Sequence, residues 1–198
     1  MKHIVVFASG SGTNFQAIIN AVNSGQINAR IKGLISDNPD CKALERAKQN
    51  DIEIKVIQPK NFENTQSFGS ALISTLQTWK TDLIVLAGYL KKIPVSVIHE
   101  YENRIINIHP ALLPKFGGKG FYGSKVHQAV LDAGEKESGC TVHIVTEEYD
   151  KGPILDQQKV PVYESDDVET LAQRILQQEH YLLSKVIGEL IEDLNSKS

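Results

Sequence analysis

Short apolar runs dense in β-branched residues alternate with segments of helical period as far as His109, and that cadence restricts the fold more than any other feature of the chain. His3–Ser9 (HIVVFAS) is too short for a helix and reads as a buried strand. Asn14–Val22 then sets Phe15, Ile18, Ile19 and Val22 at helical spacing. Ile31–Ser36, Ile52–Ile57, Asp82–Ala87 and Arg104–His109 repeat the strand pattern; Cys41–Asn50 and Thr65–Trp79 repeat the helical one. Strands separated by helices make βαβ units, so the sheet is mainly parallel and right-handed crossovers put helices on both of its faces.

Beyond Pro110 the pattern changes. Residues 111–122 read as a glycine- and proline-containing loop, Lys125–Ala133 as a helix and Thr141–Thr146 as a strand. Gly152-Pro153 then turns the chain straight into Ile154–Val162. Strands joined so tightly must be antiparallel, because a parallel return needs a long crossover. Asp166–Leu194 closes as one long amphipathic helix with Ser165 or Asp166 as its cap. The expected fold class is α/β, a three-layer αβα domain over residues 1–198. Its mainly parallel, twisted sheet of about seven strands ends in an antiparallel C-terminal edge strand.

Lys and Arg number 21 against 24 Asp and Glu, a net charge of −3, so the basic excess of a nucleic-acid binder is missing. A small anion needs only a local positive patch and stays open. No apolar run approaches the ~18 residues of a membrane span, and Ile4–Ala8 is too short for the core of a signal peptide. A cytoplasmic protein without nucleic-acid or membrane partners is expected. Cys41 and Cys140 form no C-x-x-C, which suits a reducing compartment. The histidines show no H-x-x-x-H and no carboxylate partner at ligand spacing, so no metal is expected.

Three segments carry candidate chemistry. Gly10-Ser11-Gly12-Thr13-Asn14 lies between the first strand and the first helix, where free amides attract anions and glycines let the backbone approach a phosphate. The plain alternative is a tight turn with a cap. The dinucleotide fingerprint would need a third glycine at Phe15, so a phosphomonoester fits better, although Asp37 could mimic a ribose-binding acid. In Asn107-Ile108-His109-Pro110, positions two apart share a strand face, which sets an amide donor beside an imidazole at the strand's end. That pair suits a carbonyl becoming a tetrahedral oxyanion; a satisfied histidine at a capped strand end is the alternative. Asp150, in the acidic turn from Glu147 to Pro153, could orient and charge a histidine, but from the residues alone turn former is its default reading. His143 is either a partner of such a site or an outward strand residue, and Cys140 reads as structural.

GSGTN, LAGYLKKI, INIHPALLP, TVHIV with EEYDKGPI, and QQEH follow one another here in an order that resembles the phosphoribosylglycinamide formyltransferases, folate-dependent enzymes of purine biosynthesis. The resemblance covers essentially the whole chain and implies a Rossmann-like formyltransferase fold. It implies formyl transfer from the co-substrate 10-formyltetrahydrofolate to the amine of glycinamide ribonucleotide, with no metal, in a monomer or homodimer. Asn107, His109 and Asp150 match that family's catalytic trio. Gly12, Thr13 and Asn14 match its phosphate loop, and Glu179 its contact to the glycinamide part. Leu90, Lys91, Lys92 and Ile93 match the folate pocket together with Thr146, Glu147, Glu148, Tyr149 and Asp150; Leu86, Val145 and Asn107 join that wall.

Some positions depart from the family's pattern. Leu176 stands where a polar or basic ligand-binding residue is common, Thr65 where a basic one is, and KFGGKGFYGSKVH is longer and richer in glycine than the usual loop. Lys119 and Lys125 are candidates to replace the charge. Rival readings are another formyl-folate transferase, a formyl-folate hydrolase, or a non-catalytic nucleotide-binding module using Gly10–Asn14 and Asp37.

Overall fold

The computed structural model describes residues 1–196; residues 197 and 198, the end of the expected domain, lie outside the described residues. Five strands form the parallel part of the sheet: β1 (Lys2–Phe7), β2 (Ala29–Ser36), β3 (Glu53–Val56), β4 (Leu83–Leu86) and, beside β4, β5 (Ile105–His109). Helices α1 (Thr13–Asn23), α2 (Lys42–Gln49), α3 (Thr65–Thr78) and α4 (Val95–Glu100) make the crossovers. The chain then continues through α5 (Ser124–Asp132), β6 (Glu137–Ile144), β7 (Ile154–Pro161) and α6 (Val168–Ser196).

The seven strands lie in the order β3-β2-β1-β4-β5-β6-β7. β6 pairs antiparallel with both β5 and β7, so it alone runs against the other strands. Alternation along β1 divides the core between two layers. Ile4 and Val6 pack with α1 and α6 residues such as Phe15 and Ile187; Val5 and Phe7 pack with α3 and α4 residues such as Leu72 and Val97.

Between β1 and β4 the order of strands reverses, which opens a crevice outside their carboxyl ends. The loops after β1 and β4 and the end of β5 meet there.

Three local features go beyond or against the sequence expectations. α4 corresponds to no expected element: Pro94 at its cap leads into a short helix that buries Val97 and Ile98. β6 starts at Glu137, not Thr141, because Glu137, Ser138, Gly139 and Cys140 pair with Pro161, Val160, Lys159 and Gln158 of β7. The cap of α6 is Asp167, whose Oδ1 accepts from Thr170 N at 2.8 Å while Thr170 Oγ1 accepts from Asp167 N at 2.9 Å. Asp166 instead takes two 2.7 Å hydrogen bonds from the Arg174 guanidinium.

Candidate active site

The loop after β1 enters α1 through Gly12, whose φ of 69° is left-handed. A Cβ there would stand 2.8 Å from that of Ala43, so α2 packs against the loop only because the residue is glycine. α1 starts at Thr13, its first-turn amides have no intrahelical carbonyl, and no acidic side chain occupies that turn. An anion is the natural partner of such an end. Asn14 turns inward and donates from Nδ2 to Glu179 Oε2 at 2.9 Å, joining α1 to α6 across 165 positions. Burial pushes the Glu179 carboxyl up, against the lowering effect of that bond.

β5 delivers Asn107 and His109 to the same crevice. His143 on β6 donates from Nδ1 to the Ile144 carbonyl at 2.9 Å, which leaves Nε2 to accept from Asn107 Nδ2 at 3.1 Å. An amide nitrogen carries two hydrogens, so a second remains for a ligand. His109 is 4 % exposed and donates from Nε2 to the Phe116 carbonyl at 2.8 Å. Its Nδ1 lies 3.7 Å from Asp150 Oδ2, beyond hydrogen-bond length, so that nitrogen is not closed off by the carboxylate. Burial draws His109 below the ordinary histidine range, opposed by the charge of Asp150 and the Phe116 carbonyl.

Asp150 stands at a left-handed φ of 55°, an unfavourable conformation for a residue with a Cβ, and the Gly118 amide holds it there. Gly118 N donates to its Oδ2 at 2.8 Å, and His143 Nε2 is 3.5 Å from its Oδ1. Burial acts to raise this carboxyl, but His143 in its protonated form, the Gly118 amide and the charge His109 gains on protonation outweigh it, and the net shift is downward. A Cβ on Gly117 would come within 3.2 Å of that of Asp150, so the glycine-rich loop approaches this closely only without side chains.

Asn107, His109, His143, Gly118 and Asp150 border one cavity of about 550 Å³. Leu86, Leu90, Ile93 and Val145 give it an apolar wall, and Lys91, Lys92, Thr146, Glu147, Glu148 and Tyr149 line it beside Asp150. Lys92 lies 5.5 Å from the centre of the Tyr149 ring, and His99 pairs with Glu147 at 2.9 Å; both link this wall's loops. Asn14 and Glu179 line the cavity too, whereas Gly12 and Thr13 do not. Thr13 faces a shallower groove of about 630 Å³ between α1 and α6. Lys119 borders the main cavity, while Lys125 packs on the Tyr122 ring at 4.7 Å.

Two groups in the wall carried no sequence signal of their own. His127 of α5 is 6 % exposed, lines the cavity and has Nδ1 enclosed without a hydrogen-bond partner. Tyr89 lines it with an unpaired hydroxyl. Their only trace was position, within the glycine-rich segment and beside Gly88. Burial pushes the Cys140 thiol up to about 12, which leaves it unreactive as a thiolate. Among the described residues no group of His, Cys, Asp and Glu is arranged to hold a metal ion. The Asp37 side chain is 8 % exposed, and its carboxylate faces Ser9 and Lys91.

Residues 2–187 match the family model described as formyl transferase. A chloroplastic phosphoribosylglycinamide formyltransferase of Arabidopsis thaliana is 44% identical over 97% of this chain and 66% of its own length. The chain therefore spans just under two thirds of that relative. A Haemophilus influenzae phosphoribosylglycinamide formyltransferase is 43% identical over 94% of this chain and 86% of its own. The crystal structure of glycinamide ribonucleotide transformylase 1 from Symbiobacterium toebii superposes with a TM-score of 0.92 at 40% identity, covering 98% of this chain and 89% of that one.

Proposed function

The chain belongs to the formyl transferase family, and from that premise we propose that it moves the formyl group of 10-formyltetrahydrofolate to the amine of glycinamide ribonucleotide in purine biosynthesis. The observation that carries this reading is the convergence of Asn107, His109 and Asp150 on one cavity that Asn14 and Glu179 also border. The names of the relatives favour the ribonucleotide over other formyl acceptors. The apolar wall from Leu86 to Val145 suits a flat heteroaromatic donor, and the amides of Gly12, Thr13 and Asn14 suit a phosphate.

In this reading the substrate amine attacks the formyl carbon, forming a C–N bond while the carbonyl pair moves to oxygen. Asn107 donates its free amide hydrogen to that oxygen, and protonated His109 donates from Nδ1. Asp150 stabilises the imidazolium and orders a water that carries the proton from the attacking nitrogen to the departing folate nitrogen, whose bond to the formyl carbon then breaks. Holding both reactants in line is enough for direct transfer, and no side chain need become acylated.

The test mixes protein, 10-formyltetrahydrofolate and glycinamide ribonucleotide and follows the deformylated folate spectroscopically. Deformylation that needs the ribonucleotide supports the reading. Equal deformylation without it would make the chain a hydrolase, and none with either would overturn the proposal. No helix among the described residues is long and apolar enough to cross a membrane.

A further inference from the structure

Asp37 and Ser9 lie outside the cavity, yet their hydrogen bonds lead into its wall. Ser9 Oγ donates to Asp37 Oδ1 at 2.5 Å and accepts from Leu90 N at 2.9 Å. A hydroxyl has one hydrogen, so while it is given to the carboxylate the oxygen's lone pairs face the Leu90 amide. Lys91 Nζ stands 3.7 Å from the other carboxylate oxygen, Oδ2. Two further bonds fix the ends of this chain: Ser9 N donates to the Gly88 carbonyl at 3.1 Å, and Gln58 Nε2 donates to the Asp37 carbonyl at 3.1 Å. Ser9 is 7 % exposed and the Asp37 side chain 8 %, so little water competes. Tyr89 and Ile93 anchor this loop in the core, but Leu90 between them is 57 % exposed, so the Leu90 backbone is held by the bond to Ser9 and not by its side chain.

We propose that Asp37, acting through Ser9, is a positioning residue that sets the Gly88–Ile93 loop as one wall of the folate site. The inference rests on the formyl-folate reading above. It gives a buried carboxylate at the end of β2 a task in the affinity for one substrate only. Neither side chain touches the ligand; both determine where the Leu90 amide and the Lys91 side chain are held.

The experiment measures both KM values and kcat for wild type, Ser9→Ala, Asp37→Ala, Asp37→Asn and the double Ser9→Ala/Asp37→Ala. Calorimetric titration of a formylated folate without the second substrate accompanies it. Ser9→Ala and Asp37→Ala should each raise the folate KM and Kd about tenfold, the size of one lost hydrogen bond to a charged partner. The KM for glycinamide ribonucleotide should stay within about twofold. Asp37→Asn keeps an acceptor for Ser9 and should restore most of the folate affinity. The double variant should be no worse than the poorer single one, because both substitutions break one chain.

An unchanged folate KM, equal rises for both substrates, or additive losses would overturn the inference. Should Asp37→Ala fail to fold, Ser9→Ala and Asp37→Asn decide the matter by the same split. Wild-type protein without ribonucleotide-dependent turnover would refute the functional reading; normal wild-type turnover with unaltered variants would refute only the role of Asp37.

Discussion

Replacing Asn107 by Ala isolates a single donor. Its Nδ2 gives one hydrogen to His143 at 3.1 Å and leaves the other for the oxygen on which charge develops. Such a donor acts mainly in the transition state, where losing it costs roughly 10²–10³ in kcat, about 2.7–4 kcal/mol. Both KM values should move little, because a ground-state carbonyl accepts a weaker bond than an oxyanion. The substitution also leaves His143 Nε2 without its donor, at a cost of about 1–3 kcal/mol in stability. Thermal denaturation measures that cost separately, at roughly 2–4 °C per kcal/mol for a chain of this size. The assay is the spectroscopic one above, with each substrate varied in turn while the other is saturating. A fall in kcat under about tenfold, or a loss carried by KM, would refute the assignment of Asn107 to the oxyanion.

Truncating Thr13 and Asn14 to Ala together should raise the ribonucleotide KM and leave the folate KM alone; a loss confined to folate would contradict the phosphate loop. Asp150→Asn removes a charge that works to raise His109, so the imidazole should titrate at lower pH than in wild type; ring-proton NMR reads this, and a shift upward would refute the pairing. Asp166→Asn should lower stability at neutral pH by about 1 kcal/mol, a modest figure because Arg174 is 25% exposed. The Arg174 guanidinium holds the Asp166 carboxyl well below the usual range. This contribution is therefore complete above the unfolded value of about 3.9 and fades as pH falls toward the folded one. Denaturant titrations at pH 7 and pH 3 should show the variant's deficit shrinking in acid; a constant deficit would refute the ion-pair account.

The parallel units were legible because β1, β4 and β5 are short apolar runs, β2 and β3 carry apolar residues in strand alternation, and each intervening helix but α4 has its own period. β6 was less so: Glu137, Ser138 and Gly139 carry no apolar alternation and are strand only because β7 pairs with them. Asn107 and His109 could be read because strand periodicity alone places them on one face. Asp150 could not be told from a turn former by its neighbours. What gives it chemistry is contact with His109 and His143, 41 and 7 positions away, and with the Gly118 amide. Glu179 needed Asn14, and Asp37 needed Ser9 and Lys91, for the same reason. Local pattern reports which face a side chain occupies; partnership between distant carboxylates and donors is settled by the closing of the sheet.

The protonation of the trio follows from which atoms can only accept. Phe116 O accepts and never donates, so neutral His109 keeps its proton on Nε2 and turns the Nδ1 lone pair toward Asp150. That arrangement sets a lone pair against an ionised carboxylate, since Asp150 is held below the usual range. Protonation of Nδ1 removes the conflict and creates an N–H on the cavity side in one step. Burial opposes it, and the balance keeps His109 below an ordinary histidine while the site is at rest. Negative charge appearing on a ligand oxygen adds to the pull of Asp150 and tips the balance toward the imidazolium. The histidine therefore becomes a strong donor at the stage of the reaction when the oxyanion is present, which is the differential binding that catalysis requires.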